Sequence, residues 1–137
     1  MFCTHRAGGS SLSPYDSFNL GNHVGDDPQA VFNNRQLLAF QLQQRAVFMR
    51  QVHGNVVSQL HHDTPDGQQA DACFTREAGV ACTIMVADCL PILFYNPPRK
   101  WWPLPMRVGV AWLACQGQAV CWRQRGALCA VALPWTA

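Results

Sequence analysis

Apolar and polar stretches divide the first 100 residues into one predicted helix and about six predicted strands. Asp27 as N-cap and Pro28 at the first helical position mark a helix start, and the helix should run to about Gln44. Five apolar residues at helical spacing form one predicted face of this helix: Val31, Leu38 and Leu42, with Ala30 and Leu37 beside them. Three amide side chains are expected largely outside this face: Asn33, Asn34 and Gln41.

The predicted strands are short apolar runs rich in β-branched and aromatic residues. They cover Phe2 to Arg6, Ala46 to Val52, Val56 to Leu60, Ala70 to Thr75, Val80 to Val86 and Ile92 to Tyr95. The Gly54-Asn55 turn predicts that the second and third of these runs form a hairpin. One helix among about six strands predicts a mixed α+β layered domain.

Candidate chemistry lies where strands are expected to end. Ala87-Asp88-Cys89-Leu90-Pro91 separates two predicted strands, and Gln51-Val52-His53-Gly54 closes another. If these ends meet on one side of the sheet, His53 and Cys89 converge. Such a pair can bind Zn²⁺ or copper, or Cys89 can act as a thiol nucleophile activated by His53. The alternative for Cys89 is a buried thiol that packs as a small apolar group.

Arginines are the other candidates. Arg6 precedes Gly8-Gly9, whose exposed amides could help to bind an anion, and an arginine there could hold phosphate through two hydrogen bonds. Arg35 is the second candidate. The alternative for both is an ordinary surface arginine. His61 and His62 are expected to be solvated, and His5 is expected to face the side opposite to Arg6. Asp71 and Asp88 are expected to cap turns, with fixing of a histidine tautomer as the alternative.

Composition narrows the possibilities. The chain has 137 residues, enough for one domain with a modest core, and its net charge of +2 gives no indication of nucleic acid or an anionic membrane as partner. Its seven cysteines are odd in number and no secretory signal is recognised, which favours free thiols in a reducing, cytoplasmic compartment. No apolar run is long enough for a membrane span.

An abrupt change in composition occurs near Lys100. All eight acidic residues lie before Lys100 and all five tryptophans lie after it. Few natural domains change so sharply without a linker between the two parts.

Several motifs together resemble the laccase-domain proteins, also called multicopper polyphenol oxidases and regarded as purine nucleoside phosphorylases. The matching segments occur in the family's order and extend over most of residues 2 to 98: Thr4 to Gly9, Ser17 to Pro28, Asn34-Arg35, Gln51 to Gly54, Ala70 to Ala72 and Ala87 to Pro91. The resemblance implies a three-layer α/β/α mixed-sheet fold, similar also to the catalytic domain of cytotoxic necrotizing factor.

The resemblance implies metal ligands at His53 and Cys89, with zinc or copper as the metal. The family's third ligand begins an H-A-G-W-R-G motif and should lie in slot 106, where this chain has Met106. If the Lys100 codon ends in G, moving the reading frame back by one base permits that motif with its histidine in slot 106. Residues 1–100 are therefore expected to be the N-terminal part of one laccase-like domain, and 101–137 an out-of-frame tail, with a genuinely divergent C-terminus as the alternative.

The activity implied by the resemblance is phosphorolysis of adenosine, inosine and methylthioadenosine, together with adenosine deamination. Purine nucleoside and phosphate are the implied partners, with Arg6 and Arg35 as anion holders and Asn19 and His23 lining the pocket. Because family domains are longer and one metal ligand is absent, impaired activity is expected for this chain. The alternatives are a non-catalytic fragment, a copper-dependent polyphenol oxidase and a metal-free Cys/His thiol hydrolase.

Overall fold

The computed structural model describes residues 2–87, 90–96, 107–113 and 129–133. Within these residues the chain forms one helix and eight strands. In chain order they are β1 (Phe2–Cys3), α1 (Pro28–Leu42), β2 (Arg45–Val47), β3 (Val57–Leu60), β4 (Ala72–Thr75), β5 (Val80–Val86), β6 (Leu90–Asn96), β7 (Arg107–Leu113) and β8 (Cys129–Leu133). The predicted mixed α+β fold is confirmed.

Helix α1 begins where the sequence predicts. The Asp27 carboxylate accepts hydrogen bonds from the amides of Gln29 and Ala30, both at 3.3 Å, and Pro28 occupies the first turn. These contacts satisfy amide groups that have no partner within the helix. The helix ends at Leu42 because Gln43 adopts a left-handed conformation with φ of 52°.

The predicted apolar face of α1 is correct except at two positions. Ala30, Val31, Leu38 and Leu42 are buried, but Leu37 is 37% exposed. Asn34, which was expected largely outside this face, is completely buried. The pattern of apolar residues cannot reveal a polar side chain that is buried because it hydrogen bonds a neighbouring loop.

The strands form two four-stranded sheets. The first has the order β1-β8-β5-β2 and the second has the order β3-β4-β7-β6. Strands β2 and β5 pair in parallel, as do β3 and β4, whereas the pairs that involve β7 or β8 are antiparallel. The strands β7 and β8, which come from the segment expected to be an out-of-frame tail, therefore pair with strands from the first 100 residues.

The predicted hairpin between residues 46–52 and 56–60 is wrong. Strand β2 stops at Val47 and β3 belongs to the other sheet. Chain direction changes over residues 48–56, where backbone groups bond to a second loop: the amide of Arg50 donates to the Gln68 carbonyl at 2.9 Å, and the Arg50 carbonyl accepts from Ala70 at 3.2 Å. The first strand is also shorter than predicted: β1 ends at Cys3, whereas the prediction extended to Arg6.

Strand β5 lies at the centre of the described core, because both of its faces are buried. Ala81 and Met85 pack with Leu38 and Leu42 of α1. The alternate residues Val80, Cys82 and Ile84 pack with Leu60 and Cys73 of the second sheet. A continuous apolar run is typical of such a strand. Among the described residues, no helix is both long and apolar enough to cross a bilayer.

Candidate functional site

His53 lies in an irregular segment and not at a strand end as predicted. The pairing of β2 stops because Phe48 turns toward the loop around Asp66: its amide donates to Asp66 Oδ1 at 3.1 Å, and its carbonyl accepts from Gly67 at 2.7 Å. His53 itself is exposed and has a φ of 61°. Few residues other than glycine adopt this left-handed conformation, so its neighbours must stabilise it.

Gln51 attaches the His53 segment to the end of β5. Its Oε1 accepts from the Met85 amide at 2.9 Å, and its Nε2 donates to the Met85 carbonyl at 3.0 Å. Because one side chain binds both backbone groups of one residue, the separation between this segment and β5 is fixed. Cys89 follows only four residues after Met85 and lies outside the described residues, so the convergence of His53 with Cys89 stays a prediction.

Asp71 holds the same segment from another side. Its carboxylate is buried and accepts hydrogen bonds from three consecutive amides, those of Val52, His53 and Gly54, at 2.7 to 2.8 Å. This arrangement agrees with the predicted turn-capping role. Asp88, which had the same predicted role, lies outside the described residues.

A cavity of about 370 Å³ opens beside this segment. This volume falls within the range of small-molecule sites, roughly 300–1,000 Å³. It is lined by residues from the loop before α1, from α1 itself and from the His53 segment: Asn22, His23, Arg35, Phe48, Met49, Arg50, Gln51, Val52 and Gly67. Two of the residues predicted from the sequence, His23 and Arg35, therefore face one cavity. The lining combines apolar residues, among them Phe48 and Met49, with Arg35 and Arg50.

Arg35 is held rigidly at the cavity wall. Its Nε donates to the Leu20 carbonyl at 2.9 Å, and its Cζ lies 4.0 Å from the centroid of the Phe48 ring. Its Nη1 lies 3.5 Å from Asp66 Oδ2. Burial lowers the pKa of the Arg35 guanidinium from its ordinary value, and the Asp66 carboxylate opposes that change. Arginine remains protonated at neutral pH, so the cavity contains a fixed positive charge.

Arg6 and Asn19 do not line this cavity. Arg6 Nε donates to the Asp16 carbonyl at 2.8 Å. Asn19 is completely buried, and its side chain bonds to both backbone groups of Gly21 and to Asp26 Oδ2 at 2.8 Å. Asn19 therefore shapes the loop before α1, and the expected pocket-lining position is not observed.

Asp26 is part of the same hydrogen-bond network. Burial alone would raise the pKa of Asp26, but hydrogen bonds from Asn19, Ser11 and the Asp27 amide hold it below its usual value. The carboxylate therefore stays ionised as a partner for the buried Asn19 amide.

The glycine pair after Arg6 is not the open anion site that the sequence suggested. The Gly9 amide donates to Ser17 Oγ at 3.0 Å, and the following amide of Ser10 donates to Asn34 Oδ1 at 2.7 Å. These groups order the chain around Asn34. The prediction of exposed amides is therefore wrong at Gly9.

The remaining histidines lie apart from the cavity. His61 and His62 are exposed, as predicted, but both contact Glu77: His61 Nδ1 lies 2.5 Å from Oε1, and the His62 amide donates to Oε2 at 2.8 Å. The hydrogen bond to His61 is the largest of the effects that lower the pKa of Glu77. The His5 ring accepts from the Ala7 amide at 3.2 Å.

Metal binding has only partial support from the described residues. Among them, no group of three or more histidine, cysteine, aspartate or glutamate side chains is arranged to hold a metal ion. His53 is the one proposed ligand that they contain. His53 is exposed, and its neighbours Gln51 and Val52 line the cavity.

Three residues that line the cavity or hold its neighbouring segment were not predicted from the sequence. Arg50 adds a second guanidinium group to the cavity, Phe48 supports Arg35, and Gln51 fixes the His53 segment. Gln51 belongs to a recognised motif, so its importance could have been suspected. Arg50 and Phe48 carry no local signal, because their roles depend on how the two loops meet.

Comparison with known proteins identifies the class to which this fold and cavity belong. Residues 1–102 match the family described as multi-copper polyphenol oxidoreductase laccase, and the chain belongs to that family. The predicted resemblance is confirmed. Similar solved structures include a Neisseria meningitidis protein, with a TM-score of 0.68 and 37% identity over 78% of this chain and 42% of that one. YlmD from Geobacillus stearothermophilus has a TM-score of 0.68 and 34% identity over 82% of this chain and 44% of its own.

Curated relatives share the matched region and carry a common name. A purine nucleoside phosphorylase of Corynebacterium glutamicum is 49% identical over 96 residues, 66% of this chain and 39% of the relative. The purine nucleoside phosphorylase YfiH of Escherichia coli is 46% identical over 93 residues, 66% of this chain and 38% of the relative. The chain thus spans about two fifths of the length of these relatives.

Proposed function

We propose that this chain is part of a purine nucleoside phosphorylase and that nucleoside and phosphate bind in the cavity beside the His53 segment. The names of the relatives support the activity. The cavity supports the substrate class, because apolar lining residues suit a purine ring and the guanidinium groups of Arg35 and Arg50 suit phosphate.

The observation that carries this proposal is the double hydrogen bond between Gln51 and Met85. It holds His53 near the strand that leads to Cys89, as a site built from both residues requires. The reaction then proceeds by attack of a phosphate oxygen on the ribose C1′ carbon. The bond from C1′ to the purine nitrogen breaks, and the base leaves with the electron pair and gains a proton. Arg35 binds and orients the phosphate, while the Phe48 ring keeps the guanidinium plane fixed.

His53 and Cys89 are the proposed metal ligands in this chain, with zinc favoured and copper as the alternative. A bound metal ion supplies Lewis acidity to the site. Adenosine deamination at the same place is a further part of the proposal. Because Met106 replaces the expected third ligand, zinc affinity should be weak and nucleoside turnover low.

One assay separates the candidate functions. Purified full chain is supplied with inosine and phosphate, ribose 1-phosphate is quantified, and zinc and copper are measured by mass spectrometry. Phosphate-dependent ribose 1-phosphate supports the proposal, whereas oxidation of a phenol with bound copper favours the polyphenol oxidase. Nucleoside turnover that persists after the metal is removed favours the thiol hydrolase. If the chain neither turns over nor binds nucleoside, the non-catalytic fragment is favoured.

Replacing Arg35 with glutamine should weaken phosphate binding by about 10- to 100-fold, since a hydrogen bond to a charged group contributes roughly 1.5–3 kcal/mol. Titration calorimetry with inorganic phosphate measures this change. Arg45→Gln is the control, because it removes the same charge from an arginine that is exposed and does not line the cavity. Equal affinities in the parent chain and in Arg35→Gln would exclude Arg35 as the phosphate ligand.

We also propose that residues 101–137 arise from a shifted reading frame. The change in composition near Lys100 supports this, and the family match ends at residue 102, close to the same point. Sequencing the DNA around the Lys100 codon provides the test. Codons that exclude His-Ala-Gly-Trp-Arg-Gly in the shifted frame would rule the proposal out.

A further inference from the structure

The Asp71 carboxylate is a buried charged group beside the site, and only 3% of the residue is exposed. Its Oδ1 accepts from the Val52 amide at 2.8 Å and from the His53 amide at 2.7 Å. Its Oδ2 accepts from the Gly54 amide at 2.8 Å. Three successive amides that converge on one anion form a strong and directional attachment.

The conformation of His53 explains why this attachment matters. With φ at 61°, His53 occupies a region that residues with a Cβ atom rarely adopt. Such a conformation persists only when the surrounding structure determines it. The hydrogen bonds to Asp71 fix the backbone at His53 and on either side of it, and therefore set the direction in which the imidazole leaves the backbone.

Asp71 is itself well anchored. Its amide donates to the Val56 carbonyl at 3.0 Å, and it directly precedes β4, which is paired on both sides by β3 and β7. Asp71 is thus anchored directly next to a strand that is paired on both sides, whereas His53 belongs to an irregular loop. Gln51 ties the same loop to β5, but Asp71 is the side chain that binds the backbone amide of His53 itself.

We propose that Asp71 is the positioning residue for His53. It fixes the imidazole of the phosphorylase site by binding the main-chain amides of residues 52–54. The catalytic meaning of this inference rests on the function proposed above, but the geometric claim does not depend on it.

An Asp71→Asn variant of the full chain tests the inference. Asparagine keeps one oxygen, which can still accept from Val52 and His53, but presents an NH₂ group to the Gly54 amide. Amide exchange measured by NMR should therefore become at least about ten-fold faster at Gly54, because that donor loses its acceptor. The His53 ring resonances should shift as well. Asp63→Asn, which removes the same charge from an exposed loop residue, should change neither.

A merely structural role predicts a different result. Loss of a buried charge that only supports the fold would accelerate exchange across α1 and β5, and would not select residues 52–54. General acceleration of that kind, or unchanged exchange at Gly54 together with unchanged His53 resonances, would overturn the proposal.

Zinc titration connects this test to the site. If the metal proposal is correct, zinc affinity should fall by about 10- to 100-fold in Asp71→Asn and stay unchanged in Asp63→Asn, since partners that orient a ligand have effects of this size. A parent chain that binds neither zinc nor nucleoside, but responds at Gly54 as expected, would contradict the proposed function and leave the positioning role supported.

Gly54→Ala provides a second variant if Asp71→Asn does not fold. A Cβ atom at Gly54 would lie 3.3 Å from Asp71 Oδ2, closer than most such contacts. The methyl group should displace the carboxylate slightly and shift the His53 amide and ring resonances while Asp71 remains charged. His53 resonances identical to those of the parent chain would count against the proposal.

Discussion

Replacing Asn34 with alanine is expected to lower the free energy of unfolding by about 3–5 kcal/mol. Asn34 is completely buried; its Nδ2 donates to Ser11 Oγ at 3.0 Å and to the carbonyls of Ser17 and Asn19 at 3.2 and 2.8 Å. Its Oδ1 accepts from the Ser10 amide at 2.7 Å. Alanine would remove this partner from all four groups. The Ser17 carbonyl still accepts from the Ser11 amide and the Ser11 hydroxyl still bonds Asp26, so the Ser10 amide and the Asn19 carbonyl are the groups most affected. Each buried group left unsatisfied costs roughly 1–3 kcal/mol.

Urea unfolding followed by circular dichroism measures this loss. Asn33→Ala is the control, because Asn33 is the neighbouring residue of the same helix but is exposed. Its effect should stay within about 0.5 kcal/mol. Equal stabilities of the two variants would show that Asn34 does not organise the loop before α1.

Replacing Gly9 with alanine should destabilise the fold by at least about 3 kcal/mol. A Cβ atom there would lie 2.2 Å from the Ser17 carbonyl oxygen, 2.5 Å from Phe18 Cα and 2.6 Å from Asn34 Oδ1. Two of these atoms belong to the backbone and the third to a buried side chain, so no small adjustment removes the overlap.

Gly8→Ala separates the steric effect from that of the dihedral angle. Gly8 has φ of 94° but no atom within 4 Å of the added Cβ, so only the backbone strain of about 1–2 kcal/mol is expected. Thermal unfolding of both variants makes the comparison. A Gly9→Ala chain as stable as Gly8→Ala would contradict the close packing of Gly9 against Ser17 and Phe18.

Local signals predicted the elements that depend on local physics. Asp27 and Pro28 identify the start of α1 because capping involves groups within one turn of the chain. The run from Val80 to Val86 matches the bounds of β5, because a strand buried on both faces is predominantly apolar.

Partners that are distant in the sequence account for the errors. The Gly54-Asn55 turn suggested a hairpin, but the amides around it bind Asp71, which lies about 17 residues away. Asn34 was placed off the buried face because its hydrogen-bond partners lie 15 to 24 residues earlier. The cavity combines Arg35 from α1 with Arg50 from a loop, and their spacing along the chain does not predict that they lie close together.

The bond between Gln51 and Met85 also bears on motion. The Gln51 side chain connects the loop to Met85 near the end of β5. Neither segment can therefore open without breaking the same two hydrogen bonds. The His53 loop and the end of β5 should therefore unfold locally as a single cooperative unit, with matching opening free energies. A change that destabilises β5 would then also increase the motion of the His53 imidazole, although His53 itself is at the surface.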